Sequence, residues 1–207
     1  MTAMNPARLG FLASHRGSNM QAIIDACNSG RLNAEPVVVI SNNGGSGALE
    51  RAVNEGIPAY CISSKTFADE KERDRMICDT LLRHKVDLVI LAGYMKKIGP
   101  ATLNAFKGKI INIHPALLPR HGGAGMYGMK VHEAVLAAGE NETGVTIHLV
   151  DEGYDSGRIL AQKKVPVNVN DTVETLGERV LRVEHAFYVE TLEKILSGDI
   201  SLSSQAG

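Results

Sequence analysis

From Leu9 onward, short apolar runs alternate with longer amphipathic stretches almost to the end of the chain, and this alternation is what most constrains the fold. Leu9–Ala13, the β-branched run Pro36–Ile40, Ala59–Ile62, Asp87–Leu91 and Lys109–Ile113 read as strands. Between them, about Asn19–Ser29, Ala48–Glu55 and Asp69–His84 read as helices, the last with Met76, Ile77, Leu81 and Leu82 inward. Gly30 and Gly56 stop the first two. Strands and helices in this order form βαβ units, so the expected fold is α/β: one doubly wound, mostly parallel, Rossmann-like sheet with helices on both faces. Ligands of such sheets bind beyond the carboxyl ends of the strands.

The second half changes character. Pro119–Gly128 is Gly-rich and aperiodic, as expected of a long functional loop. A helix near Met129–Ala138 follows, then strands Gly144–Val150 and Ile159–Val167 joined by the loop Asp151–Arg158. A last helix is expected to open on the capping-box-like Asp171-x-x-Glu174 and to run to about Leu196. Neither a repeat nor a linker interrupts residues 1–207, which read as a single domain with a frayed polar tail over about 198–207.

Composition excludes several classes. With 44% apolar residues the chain can bury a core, which rules out wholesale disorder. Lys+Arg number 22 against 23 Asp+Glu, so no broad field favours nucleic acid or an anionic membrane. No run approaches the roughly eighteen apolar residues of a membrane span. The start MTAMNPARLGFLAS carries no charged n-region or cleavage site, so no signal peptide is expected. Cys27, Cys61 and Cys78 are too few and too widely spaced for a disulfide framework or a CxxC metal pair. A cytoplasmic protein in a reducing compartment is expected.

Three segments carry chemistry. Ser14-His-Arg-Gly-Ser-Asn19 joins the first strand to the first helix. There Gly17 permits a tight turn, and Ser18 and Asn19 sit where free helix N–H groups converge. This suits a phosphate; an ordinary Ser/Asn cap is the alternative. It matches neither GxGxxG nor a Walker loop, so no dinucleotide or ATP is implied. Asn112-Ile-His114-Pro115 closes the last apolar strand of the first half. Residues two apart on a strand share a side, so Asn112 and His114 face one place at the rim. An amide donor beside an imidazole suits acyl-group chemistry; a satisfied strand-end histidine is the plain alternative. Asp151-Glu-Gly-Tyr-Asp155 is an acidic loop. One of its carboxylates could orient an imidazole and raise its pKa, though a cation site or a solvated turn would use the same residues. Its spacing fits no EF-hand, and no His/Cys set completes a zinc site. Beside these, Met95 and Ile98 could wall a flat ligand, and Glu184 borders the apolar face of the last helix one turn after Val180. The other histidines show no metal spacing and read as structural or exposed, with His148 as a neighbour of the site.

The runs ASHRGSNMQAIIDAC, VILAGYM, INIHPALLP, GVTIHLVDEGYDSG and RVEHAFY, in this order over about residues 8–190, resemble the phosphoribosylglycinamide formyltransferases, the folate-dependent GAR transformylase family. The resemblance implies formyl transfer from 10-formyltetrahydrofolate to the amine of glycinamide ribonucleotide (GAR) in purine synthesis. It implies that Gly17, Ser18 and Asn19 hold the phosphate and Glu184 the glycinamide part. Met95, Lys96, Lys97 and Ile98, with Asn112 and Asp151, Glu152, Gly153, Tyr154 and Asp155, would line the folate site. Asn112 and protonated His114 would steady the tetrahedral oxyanion, His114 would move the proton, and Asp155 would orient His114 and a water. Neither metal nor nicotinamide is needed, and the partners are these two small molecules, bound by a monomer or homodimer. Two departures stand out: the longer HGGAGMYGMKVH loop, and Asp69-Glu70-Lys71 where some relatives carry an Arg. Methionyl-tRNA formyltransferases and formyltetrahydrofolate deformylases share the N-x-H…D pattern, but each carries a further domain that this length leaves no room for. A non-catalytic binding module is the reading from another class.

Overall fold

The computed structural model describes residues 5–203. Its strands are β1 (Ala7–Ala13), β2 (Ala34–Ser41), β3 (Ala59–Cys61), β4 (Leu88–Leu91), β5 (Ile110–His114), β6 (Glu142–Leu149) and β7 (Ile159–Pro166). Its helices are α1 (Ser18–Asn28), α2 (Gly47–Asn54), α3 (Glu70–Arg83), α4 (Pro100–Ala105), α5 (Met129–Ala137) and α6 (Val173–Ser197). The strands make one seven-stranded sheet in the order β3-β2-β1-β4-β5-β6-β7. The five strands from β3 to β5 are parallel, and β6 and β7 are added antiparallel. Strand order reverses between β1 and β4, opening the crevice where doubly wound sheets take ligands. The expected α/β architecture is the one observed.

The pleat sorts the core into two layers. Leu9, Phe11 and Ala13 of β1 face a cluster with Met20, Ile23 and Ile24 of α1, Val135 of α5, and Leu176, Val180, Tyr188 and Leu192 of α6. Leu12 faces the other cluster, with Ile77 and Leu81 of α3 and Phe106 just after α4. Gly10 allows α3 this close, since a Cβ there would stand 2.8 Å from Leu81 Cδ2 and Val86 Cγ2.

Three local expectations are corrected. Leu82 is 52% exposed, because the inward line of α3 runs through Asp74, Ile77, Cys78 and Leu81. The capping box of α6 is Thr172 with Thr175, one residue later than Asp171-x-x-Glu174. Asp171 is drawn off into a two-point pair with Arg179, both contacts at 2.6 Å. The tail is not frayed through 203: the Ile200 N–H donates to the Lys194 carbonyl and Arg158 donates to the Ser201 carbonyl, while Leu202 packs against the core. Residues 204–207 of the expected tail and the first four of the chain lie outside the described residues.

At the sheet's two edges, β3 is three residues long, while β7 presents exposed Lys163 and Lys164, paired to Glu190 and Glu142, and ends at Pro166.

Candidate active site

A cavity of about 710 Å³ opens over the carboxyl ends of β1, β4 and β5, a size typical of small-molecule sites. Ser14, at the end of β1, fixes its rim. The Ser14 hydroxyl donates to Asn42 Oδ1 at 2.6 Å and accepts the Met95 N–H at 2.7 Å, tying the loop after β4 to the loop after β2.

β5 ends at His114, as Pro115 requires, and delivers Asn112 and His114 to the cavity together. Opposite Asn112 in the antiparallel register stands His148 of β6. His148 Nδ1 donates to the Leu149 carbonyl at 2.8 Å, and its Nε2 lies 3.1 Å from Asn112 Nδ2 and 3.5 Å from Asp155 Oδ1. Asn112 carries two amide protons, so at least one is left for a ligand. The same register sets His114 against Thr146.

His114 is 3% exposed and held at both nitrogens. Nε2 lies 2.8 Å from the His121 carbonyl, which can only accept, so Nε2 carries a proton. Nδ1 faces Asp155 Oδ2 at 3.5 Å, while Asp155 Oδ1 stands 3.5 Å from His148 Nε2. Asp155 has φ +54° and also accepts the Gly123 N–H at 3.0 Å. Burial works to raise the Asp155 carboxyl, but the hydrogen bond from His148, the nearby His114 imidazole and the Gly123 N–H together hold it below the usual carboxylate range. For His114 the balance goes the other way. Burial lowers its pKa, and the neighbouring Asp155 and the His121 carbonyl do not make up the difference. The net direction for the ligand-free protein is downward, because the cavity removes more solvation than one carboxylate restores.

Across the cavity, Glu184 of α6 is 7% exposed and adjoins Asn19 of α1. Burial pushes the Glu184 carboxyl up to about 7, the hydrogen bond from Asn19 acting against it. Asn19 Oδ1 is itself buried without a partner. These two groups leave polar capacity that a ligand can satisfy. Gly17 caps α1 at φ +68°, with Ala48 Cα only 2.9 Å from where a Cβ would be. Among the described residues no side chain caps α1, so the ordinary Ser/Asn cap is not the role of Ser18 or Asn19.

Of the residues singled out in the sequence, Asn19, Met95, Lys96, Lys97, Ile98, Asn112, His114, Asp151, Gly153, Tyr154, Asp155 and Glu184 line this one cavity. Gly17, Ser18 and Glu152 lie outside its lining, the first two directly between Arg16 and Asn19, which belong to it. Lys97 Nζ lies 5.8 Å from the Tyr154 ring, joining two walls. His132 of α5 was missed: it is 5% exposed, faces the cavity, and has Nδ1 buried without a partner. Its neighbours Val131 and Val135 share its buried face, which is why it reads as a core residue. Among the described residues no group of three or more His, Cys, Asp or Glu could hold a metal.

An amide, an imidazole and a carboxylate share one cavity at the carboxyl end of this doubly wound sheet, and the chain belongs to the formyl transferase family, whose model matches residues 7–192. The resemblance to the GAR transformylases stands. The chain is 38% identical over 195 residues to the phosphoribosylglycinamide formyltransferase of Haemophilus influenzae, covering 94% of this chain and 90% of that one. It is 45% identical over 188 residues to the chloroplastic phosphoribosylglycinamide formyltransferase of Vigna unguiculata, covering 91% of this chain but 60% of that protein's length. Only 14% of the trifunctional purine biosynthetic protein adenosine-3 of Chironomus tentans is spanned, at 40% identity and 96% of this chain. The crystal structure of glycinamide ribonucleotide transformylase 1 from Symbiobacterium toebii superposes with a TM-score of 0.88, at 37% identity over 94% of this chain and 89% of that one.

Proposed function

We propose that this chain, acting as a single domain, transfers the formyl group of 10-formyltetrahydrofolate to the glycinamide amine of GAR in purine synthesis. The observation that carries the reading is that Asn112, His114 and Asp155 share one cavity with the buried Glu184–Asn19 pair. One end can activate a formyl group while the other receives an amine-bearing amide.

In this reading the phosphate of GAR takes the free N–H groups at the start of α1, by Gly17, Ser18 and Asn19, and Glu184 holds the glycinamide. The folate lies against Met95–Ile98 and Asp151–Asp155. The amine nitrogen attacks the formyl carbon, and the carbonyl electron pair moves onto oxygen. Asn112 donates its free amide proton to that oxyanion. Neutral His114 takes the amine proton at Nδ1, where Asp155 stabilises the imidazolium, and the charged ring joins Asn112 in facing the oxyanion. As the carbonyl re-forms, the bond to the folate nitrogen breaks and that nitrogen receives the proton from His114. Every step is a proton or acyl transfer, so neither metal nor redox cofactor enters. Its partners are these two small molecules rather than a nucleic acid. The three unpaired cysteines suit a reducing compartment, and we assign the cytoplasm.

The test is formyl transfer by purified protein, with GAR, water and initiator methionyl-tRNA as competing acceptors. GAR-dependent turnover lost in His114→Ala and Asp155→Asn is the expected result. Formate release without GAR would overturn it in favour of a hydrolase, such as the formyltetrahydrofolate deformylase of Pseudomonas syringae, to which this chain is similar at 26% identity and a TM-score of 0.84 over 95% of its length.

A further inference from the structure

The loop after β5 holds His114 by a device that reaches well outside the cavity. His121 sits at φ +55°, a backbone region that few residues with a Cβ occupy. This conformation places its carbonyl 2.8 Å from His114 Nε2. The His121 side chain, meanwhile, turns away from the cavity, and its Nε2 donates to Glu140 Oε1 at 3.3 Å. Glu140, between α5 and β6, also receives Arg120 Nη1 at 2.7 Å. Consecutive residues of the loop are thus anchored to one carboxylate, which is itself about one-fifth exposed and lines no part of the cavity.

We propose that Glu140 is a positioning residue for the reaction, acting through His121 to fix which nitrogen of His114 carries the permanent proton. A carbonyl cannot donate, so while His121 is held in place Nε2 must keep its hydrogen and Nδ1 is the nitrogen that gains and loses one. Nδ1 is also the nitrogen that Asp155 faces. If His121 relaxed to an ordinary backbone conformation, its carbonyl would leave Nε2, and the two neutral forms of His114 would be free to exchange. The form with hydrogen on Nδ1 has no lone pair there to take a proton. The titratable groups around His114 are Asp155 and His148 from the sheet side, His121 from its own loop and His132 from α5. Only the His121 carbonyl touches Nε2 within hydrogen-bond distance among the described residues.

The inference rests on the proposed formyl transfer for its kinetic arm and on nothing but the fold for its spectroscopic arm. Nitrogen NMR of the ligand-free full chain with ¹⁵N-labelled histidine reads the His114 tautomer directly. The wild type is expected in the Nε2–H form. Glu140→Ala is expected to show a mixture of the two forms and about a tenfold lower kcat with KM for GAR within about twofold, in line with the cost of misplacing a reacting group. Glu140→Gln keeps an acceptor for His121 and is expected to restore the tautomer and most of the rate. His121→Ala, which keeps the carbonyl and removes only its anchor, is expected to behave as Glu140→Ala and serves if that variant does not fold. An unchanged tautomer in both alanine variants overturns the inference, as does a changed tautomer with an unchanged kcat. A wild type without GAR-dependent turnover would instead sink the proposed function, and the tautomer would still decide the anchoring.

Discussion

His114 and Glu184, at the two ends of the cavity, are tuned by being enclosed more than by being paired. Asp155 raises the affinity of His114 for a proton while burial lowers it. Asp155→Asn is therefore expected to make His114 titrate at lower pH than in the wild type, by NMR, and to slow formyl transfer about 10²–10⁴-fold, the usual span for lost proton-transfer catalysis. Asn tolerates the φ of +54° at this position, so the fold should survive. Glu184 gives a second prediction, on stability. Its folded pKa of about 7 lies above the unfolded 4.5, so the native state keeps a proton that the unfolded chain has lost. Stability contributed by this residue then falls as pH rises from 4.5 to 7 and stays low above. Glu184→Gln should equal the wild type in urea unfolding near pH 4, exceed it at pH 8 by up to about 3 kcal/mol, and lose GAR affinity. At this scale the sequence was readable where spacing alone decides. Asn112 and His114 had to share a side of β5. It was unreadable where burial decides: nothing local distinguishes the buried, cavity-facing His132 from a histidine of the core.

Among the elements, the one the sequence did not reveal is α4. It is six residues long, it opens with Pro100, and the side chain that caps it comes from another helix. Asp74 of α3 accepts the Ala101 N–H at 2.7 Å, the Thr102 N–H at 3.1 Å and the Thr102 hydroxyl at 2.6 Å, with Gly99 leaving it room. A cap supplied from a residue so far back in the chain has no local signature, whereas the alternating patterns of β1, β2 and α1 are local and were legible. Asp74→Ala should lower stability by about 2–3 kcal/mol in urea unfolding, since it strips a cap and leaves buried donors unmet. Its effect on GAR-dependent turnover should be small, because Asp74 does not line the cavity. The opposite case is α6, readable in extent but misplaced at its start by one residue: Asp171 fits a cap until Arg179, two turns on, is seen to claim it.

At the scale of the whole molecule the strand order decides where function can sit. Apolar runs made the parallel half legible, but they carried no direction for β6 and β7, which depends on a loop geometry without a sequence period. That reversal is what places His148 opposite Asn112 and brings Asp155 back over β5. The edges follow from the same order. Replacing Lys163 and Lys164 together by Val should give association that grows with protein concentration in light scattering, while the wild type shows no such growth through this edge. With β3 cut to three residues at one end and two lysines standing guard at the other, the sheet is a finished object. In a crowded cell, neither edge offers a neighbouring copy a long apolar strand to extend.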